Sequence, residues 1–204
     1  MARHHPGPPR LFMQKYTTIL FDLNGVLILN APNYISSELE QTIYKRLGTS
    51  LDDISEKSKL LNELGWDEDK FWDYDKNAWK GAVPNLELLQ KIKDLKNSGY
   101  RLGLVTNTSG LVLRKNELEF FGFYLNDLFD TVVISSEVHM LKPEKEIYQL
   151  TLDNLKADPS ETIFVDDSNR YLRGAEVLGI TPLLYVENKQ VISELEKLGV
   201  KANA

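Results

Sequence analysis

Four places in the chain put reactive side chains where an apolar run stops. Asp22 follows Thr17-Thr18-Ile19-Leu20-Phe21 and is itself followed by Leu23-Asn24-Gly25. Thr106-Asn107 closes the run ending at Val105, and Asp166-Asp167 closes Ile163-Phe164-Val165. Lys142-Pro143 stands shortly after the run ending at Ile134. Carboxylates gathered in one crevice repel one another. A hard divalent cation relieves this, and Mg²⁺ is usually held by one or two carboxylates together with phosphate oxygens. Beside such a cation a carboxylate can attack phosphorus to form an aspartyl-phosphate. The Thr106 hydroxyl, nearby N–H groups and the Lys142 ammonium would then hold the phosphoryl oxygens. Taken singly, each residue has a plainer role: Thr106-Asn107 or Asp166-Asp167 as helix caps, Lys142 as a solvated surface lysine, Asp22 as a turn residue.

These residues need elements that bring them together. The run before Asp22 has the composition of a strand buried on both faces. Residues 101–105, 131–134, 161–165 and 181–186 read as further strands, each separated from the next by one helical pattern. Helices follow Pro84, Leu111, Lys142, Asn169 and Val191, and Gly99, Gly122 and Gly179 punctuate three of their ends. Strands joined by single helices imply right-handed crossovers and a parallel sheet with helices on both faces. Such sheets bind ligands beyond the carboxyl ends of their strands, where all four groups would fall. Between residues 31 and 80 the strand signal disappears. Ile35, Leu39, Ile43 and Leu47 form one helical stripe, Ile54, Leu60, Leu61 and Leu64 another, and Phe71, Trp72, Tyr74 and Trp79 make the third stretch aromatic. The division expected is a disordered leader over 1–14 (with Met13 a candidate start), a core over 15–30 and 81–204, and a helical cap over 31–80. Packing within the cap is the favoured reading of its aromatics; a lid that excludes water is the functional one.

Composition narrows the partners. A net charge of −6 argues against nucleic acid and anionic membranes. Without cysteine there are no disulfides and no thiolate chemistry, which suits a reducing, cytoplasmic compartment. No apolar run reaches the roughly 18 residues that a membrane span needs. A monomer or homodimer acting on a small phosphorylated substrate is expected.

The motifs carry a resemblance. Asp22-Leu23-Asn24-Gly25-Val26-Leu27, Thr106-Asn107, Lys142-Pro143 and Asp166-Asp167-Ser168 resemble the four motifs of the haloacid dehalogenase-like hydrolase superfamily. Leu104-Val105-Thr106-Asn107-Thr108-Ser109 with Lys142-Pro143-Glu144-Lys145-Glu146-Ile147-Tyr148 is most similar to the group containing the N-terminal phosphatase domain of soluble epoxide hydrolase. The resemblance implies an α/β, Rossmann-like core with a small helical cap after the first strand, and a Mg²⁺-dependent phosphoric monoester hydrolase. It implies that Asp22 is the nucleophile and a Mg²⁺ ligand and that Asn24 gives Mg²⁺ a backbone carbonyl. Thr106 and Asn107 would bind the phosphoryl group, and Lys142 would steady both nucleophile and phosphate. Asp167 would ligate Mg²⁺, with Asp166 in or near its shell.

One position departs from the pattern. Family phosphatases carry a second Asp where this chain has Asn24, and that Asp protonates the leaving alcohol and later activates water. An amide cannot shuttle a proton, and general acid–base help is worth about 10²–10⁴-fold. The expectation is therefore a phosphatase slowed at this step, with a phosphate- and metal-binding regulatory module as the alternative. Dehalogenation fits poorly, since the family's aromatic residue is missing at this position. Phosphonate cleavage would need a cap lysine, for which Lys45, Lys57 and Lys59 are available.

Overall fold

The computed structural model describes residues 15–202; the expected leader lies outside them. Strand β1 (Thr18–Phe21) is followed by β2 (Ile28–Asn30), and helices α1 (Glu38–Thr49), α2 (Asp53–Leu64) and α3 (Glu68–Ala78) come next. A 3₁₀ turn over Trp79–Gly81 leads into β3 (Ala82–Pro84), which pairs antiparallel with β2. The chain continues through α4 (Leu86–Asn97), β4 (Arg101–Thr106), α5 (Gly110–Phe121), α6 (Leu125–Leu128), β5 (Thr131–Ile134), α7 (Ser135–Val138) and α8 (Lys145–Leu155). It ends in β6 (Thr162–Asp166), α9 (Asn169–Glu176), β7 (Thr181–Leu184) and α10 (Asn188–Lys197). Among the described residues no helix is long and apolar enough to cross a membrane.

The main sheet is parallel, in the order β5-β4-β1-β6-β7. All four residues of β1 are buried because the strand lies in the middle and is covered on both faces. Its side chains alternate as a pleat requires. Ile19 and Phe21 enter one core layer with Leu88, Ile92, Leu95 and Leu195, while Leu20 enters the other with Phe164, Ile147 and Leu172. From β1 the order runs outward through β4 to β5, then restarts on the opposite side with β6. The reversal opens a crevice at the carboxyl end of β1, where ligands of such sheets bind. Register fixes what stands there: Phe21 lies opposite Leu104 and Val165, so Asp22 is level with Asp166 and close to Thr106.

Helices α1–α3 have their own apolar cluster of Ile43, Leu47, Leu60 and Phe71, closed by Val112 of α5. The aromatics pack there as expected: Phe71 is buried and Trp72 meets it edge-on. The helices start later than the stripes suggest. Ser37 caps α1 and Asp52 caps α2, each accepting from a backbone N–H with its side chain. Ile35 therefore lies before the helix and is 89% exposed, and Ile54 faces solvent. Pro84 does not open α4; it belongs to β3, and Asn85 provides the cap while Leu86 points outward. The antiparallel β2–β3 pair, which brackets the insertion, was not expected, since three-residue strands carry almost no periodic signal.

A buried carboxylate helps tie the helical insertion to the core. Asp53, in the first turn of α2, is buried, and its Oδ2 accepts from Ser109 Oγ at 2.7 Å, Leu111 N at 3.0 Å and Ser136 Oγ at 3.0 Å. Asp53→Ala strands three buried donors, at a cost of about 1–3 kcal/mol. The expected result is a melting temperature lower by about 2–12 °C for a chain of this size. An unchanged thermal melt would contradict the anchoring role.

Candidate active site

Asp22 is the first residue past β1 and only 4% exposed. Its backbone N–H donates to the Val165 carbonyl at 2.9 Å, which continues the ladder for one residue and fixes the Cα at the crevice. Beyond it the chain turns so tightly that Leu23 O accepts from both Leu27 N and Ile28 N. Gly25 makes this turn possible with φ of +82°, and it leaves room for a neighbour: a Cβ there would lie 2.2 Å from Asp167 Oδ2. The turn uses the Leu23 carbonyl and the Gly25 N–H, not the carbonyl of Asn24.

Lys142 is the electrostatic centre. Its ammonium is buried, 2.7 Å from Asp22 Oδ1 and 2.8 Å from Asp166 Oδ2. The Asp166 contact is a hydrogen bond. The Asp22 contact is an ion pair off the hydrogen-bond direction, which leaves Oδ1 with unused accepting capacity. Carboxylate oxygens of Asp22, Asp166 and Asp167 all lie within 4.8 Å of one another. Three acids thus face one ammonium. Burial, followed by the charge of Asp22, pushes the Asp166 carboxyl up to about 7 despite Lys142. Asp167 is raised for the same two reasons. Burial alone would lower Lys142, but Asp22 and Asp166 outweigh it and hold the ammonium protonated. The cluster carries excess negative charge on hard oxygen donors, a set that fits Mg²⁺.

The remaining residues surround this centre. Thr106 ends β4 with its hydroxyl fully buried and without a hydrogen-bond partner. Asn107 does something its sequence did not show: its Oδ1 accepts from Lys142 N at 2.8 Å and its Nδ2 donates to Lys142 O at 3.0 Å. The amide clamps the lysine backbone and keeps one N–H free of that task. Ser109, not Thr106 or Asn107, caps α5. Ser168 precedes α9, and its N–H donates to Asp166 Oδ1. Asn24 is exposed at the turn and lines a cavity of 230 Å³ between the core and α1.

The structure thus brings Asp22, Thr106, Asn107, Lys142, Asp166 and Asp167 together and sets Asn24 at the mouth. It does not bring in the insertion lysines. Lys57 is buried against Glu68 at 2.7 Å, Lys45 and Lys59 are exposed, and none of them lines the cavity. Sequence reasoning passed over Asp53 and Glu40. The Asp52-Asp53 pair announces a cap but not which acid turns inward, and a Glu in the first turn of a helix looks like ordinary dipole compensation.

A family model described as haloacid dehalogenase-like hydrolase matches residues 19–184. Bifunctional epoxide hydrolase 2 of Rattus norvegicus is 35% identical over 115 residues, which cover 56% of this chain but 21% of that protein. Pyrophosphatase PpaX of Bacillus mycoides is 30% identical over 188 residues, 81% of each chain. Among solved structures, a HAD-like family hydrolase of Porphyromonas gingivalis has a TM-score of 0.72 at 23% identity and covers 92% of this chain and 99% of its own. A HAD family enzyme of Bacteroides thetaiotaomicron, in complex with magnesium and inorganic phosphate, has a TM-score of 0.69 at 22% identity, over 85% of this chain and 96% of its own. At these identities the structural likeness concerns the fold.

The raised Asp166 carboxyl gives the cluster a pH signature. Unfolded, an Asp titrates at its ordinary value of 3.8; folded, Asp166 holds its proton to about 7. Between the two the folded chain binds the extra proton, so this group's stabilisation is complete below the lower value and is lost as pH rises through about 7. A divalent cation competes with that proton. The increase in melting temperature caused by millimolar Mg²⁺ should therefore be larger at pH 7.5 than at pH 5. Equal shifts at both pH values, or none, would remove these carboxylates from metal binding.

Proposed function

Because the chain belongs to the haloacid dehalogenase-like hydrolase family, we propose that it is a Mg²⁺-dependent phosphatase for a small phosphorylated metabolite, working through an aspartyl-phosphate on Asp22. The observation that carries this reading is the buried Lys142 ammonium between Asp22 and Asp166, with an unpartnered Thr106 hydroxyl at the end of the adjoining strand β4. Asp22, Asp167, Asp166 and the Asn24 carbonyl are the residues to hold Mg²⁺, which when bound offsets carboxylate charge and polarises phosphoryl oxygens.

In the first half-reaction an Asp22 oxygen bonds to phosphorus and the bond from phosphorus to the leaving oxygen breaks. The Thr106 hydroxyl, the free N–H of Asn107 and the Lys142 ammonium donate to the phosphoryl oxygens, whose charge shifts as the bonds exchange. The departing alkoxide takes its proton from water, since Asn24 has none to give. In the second half a water attacks phosphorus and releases a proton to solvent. The bond to Asp22 breaks, freeing inorganic phosphate and restoring the carboxylate. Residues 31–80 serve as the cap that shields these steps from bulk water. Asn24 favours a second reading, a phosphate- and metal-binding regulatory module without turnover.

p-Nitrophenyl phosphate separates the two readings, because its leaving group departs without protonation. The enzyme should hydrolyse it with Mg²⁺ and not without, and Asp22→Asn should reduce turnover to background while remaining folded. Undiminished turnover in the folded variant removes Asp22 as nucleophile; no turnover in the wild type favours the regulatory module.

A second test concerns the proton. Asn24→Asp is nearly isosteric, and the like charges nearby would raise the new carboxyl towards the neutral range that suits an acid. Hydrolysis of alkyl phosphates should rise about tenfold or more, short of the full value because the surrounding shell is not tuned for it. The gain on p-nitrophenyl phosphate should be much smaller. Equal gains on both substrates would show that leaving-group protonation is not what limits the enzyme.

A further inference from the structure

Resting on that reading, we infer that the cavity beside Asn24 takes a leaving group bearing a protonated amine, with Glu40 as the residue that selects it. The cavity runs from Asn24 at the catalytic turn to Glu40 and Tyr44 of α1, with Leu47 and Trp79 among its walls. No Lys, Arg or His lines it. Glu40 is its one formal charge, and the residue is half-buried. It forms no ion pair with any basic side chain of the described residues.

Glu40 is nevertheless held in place. Its Oε2 accepts the hydroxyl of Tyr34, and the ring of Tyr34 lies against Gly81, where a Cβ would come within 2.2 Å of it. A phenol orients the carboxylate without neutralising its charge, and its other oxygen has no partner among the described hydrogen bonds. Burial strengthens the field of such a charge. A second phosphate or a carboxylate in the cavity would face Glu40 with no basic side chain on the cavity wall to offset the repulsion, whereas an ammonium would meet a charge-assisted acceptor. The volume of 230 Å³ suits a short chain or a single ring. The substrate class is thus a phosphate ester of an amino alcohol or amino sugar, and the pyrophosphate analogue is disfavoured.

Binding tests this independently of turnover. Thermal-shift titrations of the wild-type chain in Mg²⁺ would use 2-aminoethyl phosphate, its hydroxyl isostere 2-hydroxyethyl phosphate, and inorganic pyrophosphate. The amine should bind about tenfold or more tightly than the isostere, in line with a charged hydrogen bond, and pyrophosphate should bind least well. In Glu40→Gln, which keeps an acceptor for Tyr34, the preference for the amine should fall to within about twofold, since the charge that gives it is gone. Equal wild-type affinity for amine and isostere overturns the inference without need of a variant, as does tighter binding of pyrophosphate. A preference that persists in Glu40→Gln removes Glu40 from selection. Loss of Mg²⁺-dependent p-nitrophenyl phosphate turnover would count against the phosphatase reading and leave this ranking standing on its own.

Discussion

A single buried ammonium sets the terms for the rest of the site. Taking Lys142 out of water costs several kcal/mol, and the carboxylates of Asp22 and Asp166 at 2.7 and 2.8 Å do most to offset that cost. The dependence is mutual. Without the lysine, two acids would stand buried side by side at the ends of neighbouring strands, and one would have to take up a proton. The parallel register that makes β1 and β6 neighbours therefore requires a cation at their carboxyl ends, and the chain supplies it from the segment before α8.

Holding that cation still takes several contacts from distant parts of the sequence. Asn107 grips both the N–H and the carbonyl of Lys142, so the end of β4 positions the lysine from outside its own segment. Gly174 lets α9 approach until a Cβ would stand 2.5 Å from the Pro143 carbonyl, which closes the segment from the other side. The rings of Tyr171 and Phe164 lie 4.7 and 5.5 Å from the ammonium and exclude water from it. Asp166 is in turn fixed by the Ser168 N–H. Each contact is worth little alone, but together they leave the side chain one place to be, as a preorganised site requires.

The floor of the candidate site was legible because its constraints are local. A strand buried on both faces writes a continuous apolar run, and an acid at its end is visible against that run, as at Asp22 and Asp166. The five strands and most helices followed from the same contrast. The insertion was legible only as helical. Its stripes mark apolar positions, but caps decide where a helix begins, and Ser37 leaves Ile35 outside α1, while Ile54, inside α2, faces solvent. Contacts between elements left no signal at all. Asp53 reaches Ser109 and Ser136 across the insertion boundary, and Glu40 meets the cavity only because α1 lies where it does. Such polar partners follow no period and depend on docking.

Asn24 makes sense in terms of the same charge balance. Three acids already face one ammonium, and Asp166 is driven up to about 7 by burial and Asp22. A fourth carboxylate at the turn would offer a proton and deepen that imbalance; the amide adds no charge and has no proton to give. The two demands pull against each other at one position, and this chain resolves them in favour of charge. On the proposed phosphatase reading the leaving group would then carry more of its own departure. An ammonium close to the departing oxygen stabilises the developing negative charge through space, so less depends on a proton arriving in time. The cavity that begins at Asn24 carries one charge, the Glu40 carboxylate, so the proposed amine-bearing leaving group would bring its own cation to it. On the proposed reading, the amide at Asn24 and the anionic wall at Glu40 are two parts of one arrangement: the chain adds no fourth acid at the turn and selects a substrate whose charge balances the one it keeps in the cavity.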